Sequence, residues 1–90
     1  MKQLRLTLTG KVQGVSFRSF VYHHAHALKL TGWAKNNEDG TVTVIAQGKQ
    51  EALEKLIHQC RTGHPFAKIE RVEVEWKDKE EHFSGFTIIR

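Results

Sequence analysis

The residues best suited to chemistry lie between Gly10 and Arg18. Gly10 and Gly14 stand four residues apart in this stretch. Glycine accepts left-handed backbone that other residues resist, so the stretch can turn consecutive N–H groups to one side and form an anion-binding concavity. A helix that begins where the stretch ends adds positive field, and the guanidinium of Arg18 can bind two oxygens of one anion. The stretch therefore predicts a phosphate-sized site.

Arg18 and Asn36 are the polar side chains that could act on a bound anion. An arginine at a helix start opposes the helix dipole unless an anion compensates it, so we favour a ligand role for Arg18 over that of a surface arginine. Asn36 approaches the turn signal Asp39-Gly40, where asparagine is ordinarily a turn residue. Its uncharged amide can instead orient a water molecule as donor and acceptor. For Asn36 the residues alone favour the turn.

Three histidines, His23, His24 and His26, fall within one turn of a predicted helix and suggest a metal site. No carboxylate or cysteine stands nearby to complete a set of ligands, and the three side chains point in different directions around the helix. We therefore expect exposed or packed histidines and no metal. Cys60 lies on the apolar stripe of its helix and is expected to be a small core residue.

The glycine stretch differs from a nucleotide P-loop, in which the last glycine is followed by lysine and then serine or threonine. Here Gly14 is followed by Val15 and Ser16. No serine–histidine–aspartate pattern is legible, and Ser16 has no assigned base. Its hydroxyl is expected to cap the following helix or to contact the anion.

Composition predicts one small domain over residues 1–90, with 39% hydrophobic and 27% charged residues. The single cysteine excludes an internal disulfide and a cysteine-rich zinc site. A net charge of +4 would suit nucleic acid, but the basic residues are interleaved with acidic ones, so we expect no nucleic-acid partner. The sequence shows no apolar leader and no apolar run of about 20 residues. We expect a cytoplasmic monomer without a membrane partner.

The apolar spacing alternates between the periods of strands and helices. Strands are predicted at Leu4–Thr9, Gly32–Asn36, Thr41–Ala46, Ile69–Trp76 and Ser84–Arg90, and helices from Phe17 to about Leu30 and from Glu51 to Arg61. Two one-sided helices pack on one face of an antiparallel sheet, which gives an α+β, ferredoxin-like βαββαβ sandwich with a short C-terminal strand. In this fold the hairpin of residues 32–46 can meet the glycine loop at one end of the sheet. The architecture alone does not determine a function.

Two segments resemble the signatures of the acylphosphatase family. They are Gly10 to Arg18 (GKVQGVSFR) and Gly32 to Val42 (GWAKNNEDGTV), the second running on to Gly48. The resemblance covers essentially all 90 residues, includes the ferredoxin-like order of elements and shows no departure at the defining positions. It implies hydrolysis of the carboxyl–phosphate bond of acyl phosphates to a carboxylate and inorganic phosphate.

The resemblance also implies a role for individual residues. Arg18 binds the phosphate, and Asn36 positions the attacking water. Backbone amides of the loop hold the phosphate oxygens, and this loop comprises Gln13, Gly14, Val15, Ser16, Phe17 and Arg18. The family uses no metal, other cofactor or phosphoenzyme, and inorganic phosphate is both product and inhibitor. A carboxylate leaves readily, and charge in the transition state spreads over the phosphoryl oxygens, so a general acid or base is less necessary.

Two alternatives remain open at this point. One is the acylphosphatase-like module of a hydrogenase-maturation protein that handles carbamoyl phosphate, which normally lies beside cysteine-rich zinc segments. The other is a non-catalytic module that keeps the fold to bind nucleic acid or a protein partner. The presence of both Arg18 and Asn36 argues against a module that has lost its activity.

Overall fold

The computed structural model describes residues 1–14 and 16–89. The strands are β1 (Lys2–Lys11), β2 (Thr31–Asn36), β3 (Val42–Gly48), β4 (Lys68–Lys77) and β5 (Phe86–Ile89), and the helices are α1 (Phe17–Ala27) and α2 (Gln50–Thr62). The strands form one sheet in the order β4-β1-β3-β2-β5. The predicted ferredoxin-like fold is confirmed. Arg90, which the sequence pattern assigns to the last strand, lies outside the described residues.

The fifth strand extends the sheet at the edge next to β2. Strands β4, β1, β3 and β2 pair antiparallel, as predicted, whereas β5 pairs with β2 in parallel. Strands β4 and β5 run in opposite directions. The connection of residues 78–85 therefore crosses the sheet at one end and does not run back along the length of the strands. The last residues of β5 therefore lie beside the end of β2, where Lys35 pairs with Ile89.

The core lies between the sheet and the two helices. The alternation predicted along β1 is confirmed, since Leu4, Leu6 and Leu8 are fully buried. They belong to one apolar cluster with the buried side chains of the helices, which are Phe17, Val21, Ala25, Leu53, Leu56 and Cys60. Burial raises the pKa of the Cys60 thiol to about 12, which fits the core role predicted for it. Among the described residues, no helix has the length and apolarity to cross a membrane.

Two glutamines hold the β4–β5 connection at the far end of β1. Gln3 and Gln47 are almost fully buried, and Gln3 Nε2 donates to Gln47 Oε1 at 3.1 Å. The connection is fixed by Glu81, whose N–H donates to Gln47 Oε1 at 2.9 Å and whose carbonyl oxygen accepts from Gln47 Nε2 at 2.9 Å. This network satisfies buried amide groups that would otherwise destabilise the fold.

Helix α1 ends earlier than the sequence pattern predicts. The prediction extends it to about Leu30 and assigns its termination to Gly32, whereas the helix ends at Ala27 and Lys29 adopts the left-handed conformation. The N–H of Leu30 closes the turn on the carbonyl oxygen of Ala25 at 2.9 Å. The prediction was wrong because glycine is the residue that usually adopts the left-handed conformation at the end of a helix. Lys29 adopts this conformation here at modest energetic cost.

Gly32 instead serves a close approach between β2 and β3. Its φ is +136°, and a Cβ atom there would lie 1.9 Å from the carbonyl oxygen of Ile45. Gly85 has a φ of +117°, and a Cβ atom added to it would meet no other atom within 4 Å. The two glycines therefore share a backbone requirement, while the steric conflict is specific to Gly32.

We predict that Gly32→Ala lowers the free energy of unfolding by about 3 kcal/mol or more, because backbone strain and a clash act together. The matched variant Gly85→Ala carries the strain alone and should lose about 1–2 kcal/mol. Urea unfolding followed by circular dichroism measures both. Equal losses in the two variants would contradict the role assigned to the β2–β3 approach.

Candidate active site

The glycine stretch divides between a strand and a loop. The prediction begins the loop at Gly10, but β1 continues to Lys11, and Gly10 lies at a shift in the register of β1 with β4. The loop itself contains Gly14, whose φ of +75° fits the predicted left-handed backbone. Val15, to which the resemblance assigns a phosphate-binding amide, lies outside the described residues.

Ser16 joins the loop to α1 in a strained conformation. It is the residue before the helix, its φ is +60°, and its hydroxyl makes no capping hydrogen bond. Of the two roles predicted for this hydroxyl, helix capping is therefore wrong. Left-handed backbone in a residue other than glycine costs about 1–2 kcal/mol and is commonest where function requires it. Here it turns the loop into the start of the helix.

The N-terminus of α1 presents a positive field to the loop. The helix begins at Phe17, and the first N–H groups of a helix have no acceptor within it. The first turn contains no acidic residue that would neutralise this field. Anions are favoured at such a position.

The structure fixes Arg18 against the last strand. Arg18 Nη1 donates to the carbonyl oxygen of Ile89 at 2.9 Å. A guanidinium has five N–H donors, so one hydrogen bond orients the group and leaves the others for an anion. The partly exposed side chain is held in place by β5, an element whose position the local sequence around Arg18 does not indicate.

Asn36 is the last residue of β2 and lines the same cavity as Arg18. Asn36 Oδ1 is buried and accepts no hydrogen bond from any described residue. A buried polar atom without a partner is costly, so it marks a position where a ligand or water molecule completes the hydrogen bonding.

The turn role belongs to the neighbouring residue, Asn37. Its N–H donates to the carbonyl oxygen of Thr41 at 2.8 Å, and its Nδ2 donates to the hydroxyls of Thr41 and Thr43 at 2.9 and 2.8 Å. The Thr41 hydroxyl and N–H donate to Asp39, and these bonds lower the pKa of its carboxyl group. These hydrogen bonds hold the β2–β3 turn without any contribution from the side chain of Asn36.

One cavity of about 330 Å³ brings these residues together. Its lining consists of Val12, Gln13, Gly14, Ser16, Phe17, Arg18, Ser19, Asn36 and Ile88. All the described residues that the resemblance assigns to the site are present, and among the described lining residues there is one cation and no carboxylate. The concave, polar and positively charged surface can hold a small anion with an orienting amide beside it.

The local sequence does not indicate two of the lining residues or the contacts of the Gln13 side chain. Ser19 and Ile88 face the cavity, and the side chain of Gln13 donates to two carbonyl oxygens of the β2–β3 turn. Each depends on how distant segments meet in the folded sheet. The resemblance assigns Gln13 a backbone role, and no pattern in the sequence indicates the reach of its side chain.

The histidines of α1 are engaged in aromatic packing. His24 lies 4.5 Å from Phe20 between ring centroids, while His23 and His26 contact Tyr22 at 5.4 and 6.0 Å. Within residues 1–14 and 16–89, no three His, Cys, Asp or Glu side chains are grouped to hold a metal ion. His24 also lines a larger cavity of about 490 Å³ between α1 and α2, which includes neither Arg18 nor Asn36.

Comparison with known proteins gives consistent matches over the chain. The family model described as Acylphosphatase matches residues 4–88. An acylphosphatase of Pelotomaculum thermopropionicum is 47% identical over 83 residues, which cover 92% of this chain and 90% of that protein. The crystal structure of an acylphosphatase from Bacillus subtilis superposes with a TM-score of 0.96 at 38% identity, over 100% of both chains.

A region of a longer protein also has this fold. The crystal structure of full-length HypF, in its phosphate- and nucleotide-bound form, superposes with a TM-score of 0.89 at 27% identity. The match covers 100% of this chain and 12% of that one. Together with the family model and the full-length relatives, the fold and both sequence signatures show that this chain is a member of the acylphosphatase family.

Proposed function

We propose that the chain hydrolyses the carboxyl–phosphate bond of acyl phosphates without a metal ion, using Arg18 and the loop amides to bind phosphate and Asn36 to orient water. The observation that carries this proposal is that Asn36, whose Oδ1 is buried and accepts no hydrogen bond from a described residue, lines the same cavity as Arg18. The family match supports the reaction class. The roles of the residues are our inference from the geometry.

The phosphoryl group is held by fixed donors of the loop and helix. In this proposal the phosphate oxygens accept hydrogen bonds from the backbone amides of the loop, and the guanidinium of Arg18 binds from the side. The amides are those of Gln13, Gly14, Val15, Ser16, Phe17 and Arg18. The hydrogen bond from Arg18 to Ile89 sets the guanidinium in place before substrate arrives. Donors that need no rearrangement stabilise the charge that spreads over the phosphoryl oxygens in the transition state.

Asn36 places the nucleophile opposite the leaving group. Its Oδ1 accepts a hydrogen bond from water and aims the water oxygen at phosphorus. The oxygen–phosphorus bond forms while the bond from phosphorus to the acyl oxygen breaks, and the electron pair leaves with the carboxylate. The water proton passes to a phosphate oxygen. The leaving group is a weak base, so the reaction needs no protein acid.

We propose a cytoplasmic monomer that binds no nucleic acid and uses no cofactor, with inorganic phosphate as product and competitive inhibitor. Acyl phosphate hydrolysis is favoured over the carbamoyl-phosphate alternative because the relatives named acylphosphatase match over 90% or more of their length. The match to HypF extends over 12% of that protein.

The reaction is tested with benzoyl phosphate as substrate. We predict hydrolysis in excess EDTA at the same rate as without it, and competitive inhibition by inorganic phosphate, because cationic and amide donors do the binding. Initial rates against substrate concentration at several phosphate concentrations give the inhibition constant. Loss of activity in EDTA that added divalent cations restore would contradict the metal-independent mechanism.

Replacement of Arg18 and replacement of Asn36 are expected to change different kinetic constants. Arg18→Gln should lower kcat/KM at least 100-fold and raise the inhibition constant of phosphate about 10-fold or more, because a charge-assisted anion contact is lost. Asn36→Ala should lower kcat roughly 100- to 1,000-fold and leave the inhibition constant nearly unchanged, because water and not phosphate loses its partner. Steady-state kinetics with phosphate inhibition separates the two effects.

Arg5→Gln is the matched control for charge. Arg5 is exposed on the strand that precedes the loop and does not line the cavity. Its replacement should leave kcat and phosphate inhibition nearly unchanged. Near-normal turnover in either Arg18→Gln or Asn36→Ala, with circular dichroism showing an intact fold, would remove the corresponding role from the mechanism.

A further inference from the structure

The side chain of Gln13 connects the loop to the β2–β3 turn. Gln13 Nε2 donates one hydrogen bond to the carbonyl oxygen of Asn37 at 2.9 Å and another to that of Thr41 at 3.0 Å. A carboxamide nitrogen carries two hydrogens, and both are used here. Among the described residues, these are the side-chain hydrogen bonds that link the loop after β1 to this turn.

The turn that Gln13 contacts is already fixed by its own hydrogen bonds. The N–H of Asn37 donates to Thr41, and the N–H of Gly40 donates back to Asn37 at 3.2 Å. The side chain of Asn37 bonds the hydroxyls of Thr41 and Thr43. Gln13 is therefore unnecessary for the shape of the turn. What it can determine is where the turn sits relative to the loop.

The relative position matters because Asn36 immediately precedes Asn37. In the proposed function, on which this inference rests, the loop and α1 hold the phosphoryl group while Asn36 holds the water. These groups belong to separate segments of the chain. We propose that the Gln13 side chain is a positioning residue that sets the distance between the bound phosphorus and the water on Asn36.

This role makes a specific kinetic prediction. A displacement of about 1 Å between reacting groups can lower a rate 100-fold. The backbone amides and Arg18 that bind phosphate are covalently part of the loop and helix, so phosphate affinity does not need the Gln13 side chain. Loss of the carboxamide should consequently affect kcat far more than phosphate binding.

The test replaces Gln13 with methionine, which has nearly the same length and no N–H donors. We expect Gln13→Met to lower kcat for benzoyl phosphate about 10- to 100-fold, while the inhibition constant of inorganic phosphate changes less than about threefold. Steady-state rates and phosphate inhibition are measured at a temperature where circular dichroism shows the variant folded.

Gln3→Met is the matched control. Gln3 lies near the start of β1 and donates to Gln47 and Glu81, far from the loop. The same chemical change there should reduce the free energy of unfolding without reducing kcat. An equal fall of kcat in the control would mean that general loss of stability lowers the rate, and the positioning role would be rejected.

A second variant adds a pH-dependent readout, measured where circular dichroism shows the variant folded at every pH used. In Gln13→Glu the ionised carboxylate faces two carbonyl oxygens, whereas the protonated carboxyl group donates to one of them. The kcat of this variant relative to the parent should rise as pH falls toward about 4. A constant ratio over this range would contradict the inference.

The outcomes distinguish this inference from the proposed function. If the parent fails to hydrolyse benzoyl phosphate, or Asn36→Ala remains active, the proposed function itself fails. If the parent is active and Asn36→Ala is not, then a normal kcat in Gln13→Met, or an inhibition constant that rises as much as kcat falls, overturns the role of Gln13 alone.

Discussion

The register of β3 is the constraint on which the site depends. Val42, the first residue of this strand, pairs with Leu8 on one side and with Asn36 on the other. The C-terminal ends of β1 and β2 and the N-terminal end of β3 therefore lie at the same end of the sheet. Parallel pairing of β5 with β2 brings Ile89 to this same end of the sheet. A shift of one residue would turn Asn36 to the opposite face of the sheet, because side chains alternate along a strand.

Hydrogen bonds to the polypeptide backbone then fix the functional groups within that frame. The Ile89 carbonyl oxygen orients Arg18, and the β2–β3 turn accepts both hydrogen bonds from Gln13. Left-handed backbone at Gly14 and Ser16 carries the chain from strand to helix over a few residues. The result is a cavity in which the fold orients the guanidinium of Arg18, lined also by Asn36, whose buried Oδ1 lacks a partner among the described residues.

Much of the fold could be predicted from the sequence because its signals are local. The alternation of Leu4, Leu6 and Leu8 and the apolar stripe of α2 follow directly from strand and helix geometry. The sequence pattern places the end of α1 too late because glycine is the residue expected to close a helix, whereas here Lys29 does so. The parallel pairing of β5 depends on where a connection crosses the sheet, and no local pattern encodes that.

The candidate site could be predicted in part. Glycine spacing and a positively charged helix start indicated an anion loop, but the residues alone assigned Asn36 to the turn. Neighbouring asparagines look alike in a sequence, and the fold separates them: Asn37 forms the turn, while Asn36 faces the cavity. The resemblance to a family makes the same distinction between the two residues. The long-range contacts of Gln13 and Arg18 followed from neither.

The most direct measurement of the central claim, attack of an Asn36-oriented water on phosphorus, is the fate of the water oxygen. Benzoyl phosphate is hydrolysed by the enzyme in water enriched in ¹⁸O, and both products are examined by mass spectrometry. We predict that the label enters inorganic phosphate and that benzoate stays unlabelled, because the bond between phosphorus and the acyl oxygen breaks. Label in benzoate would show attack at the carbonyl carbon and contradict the mechanism.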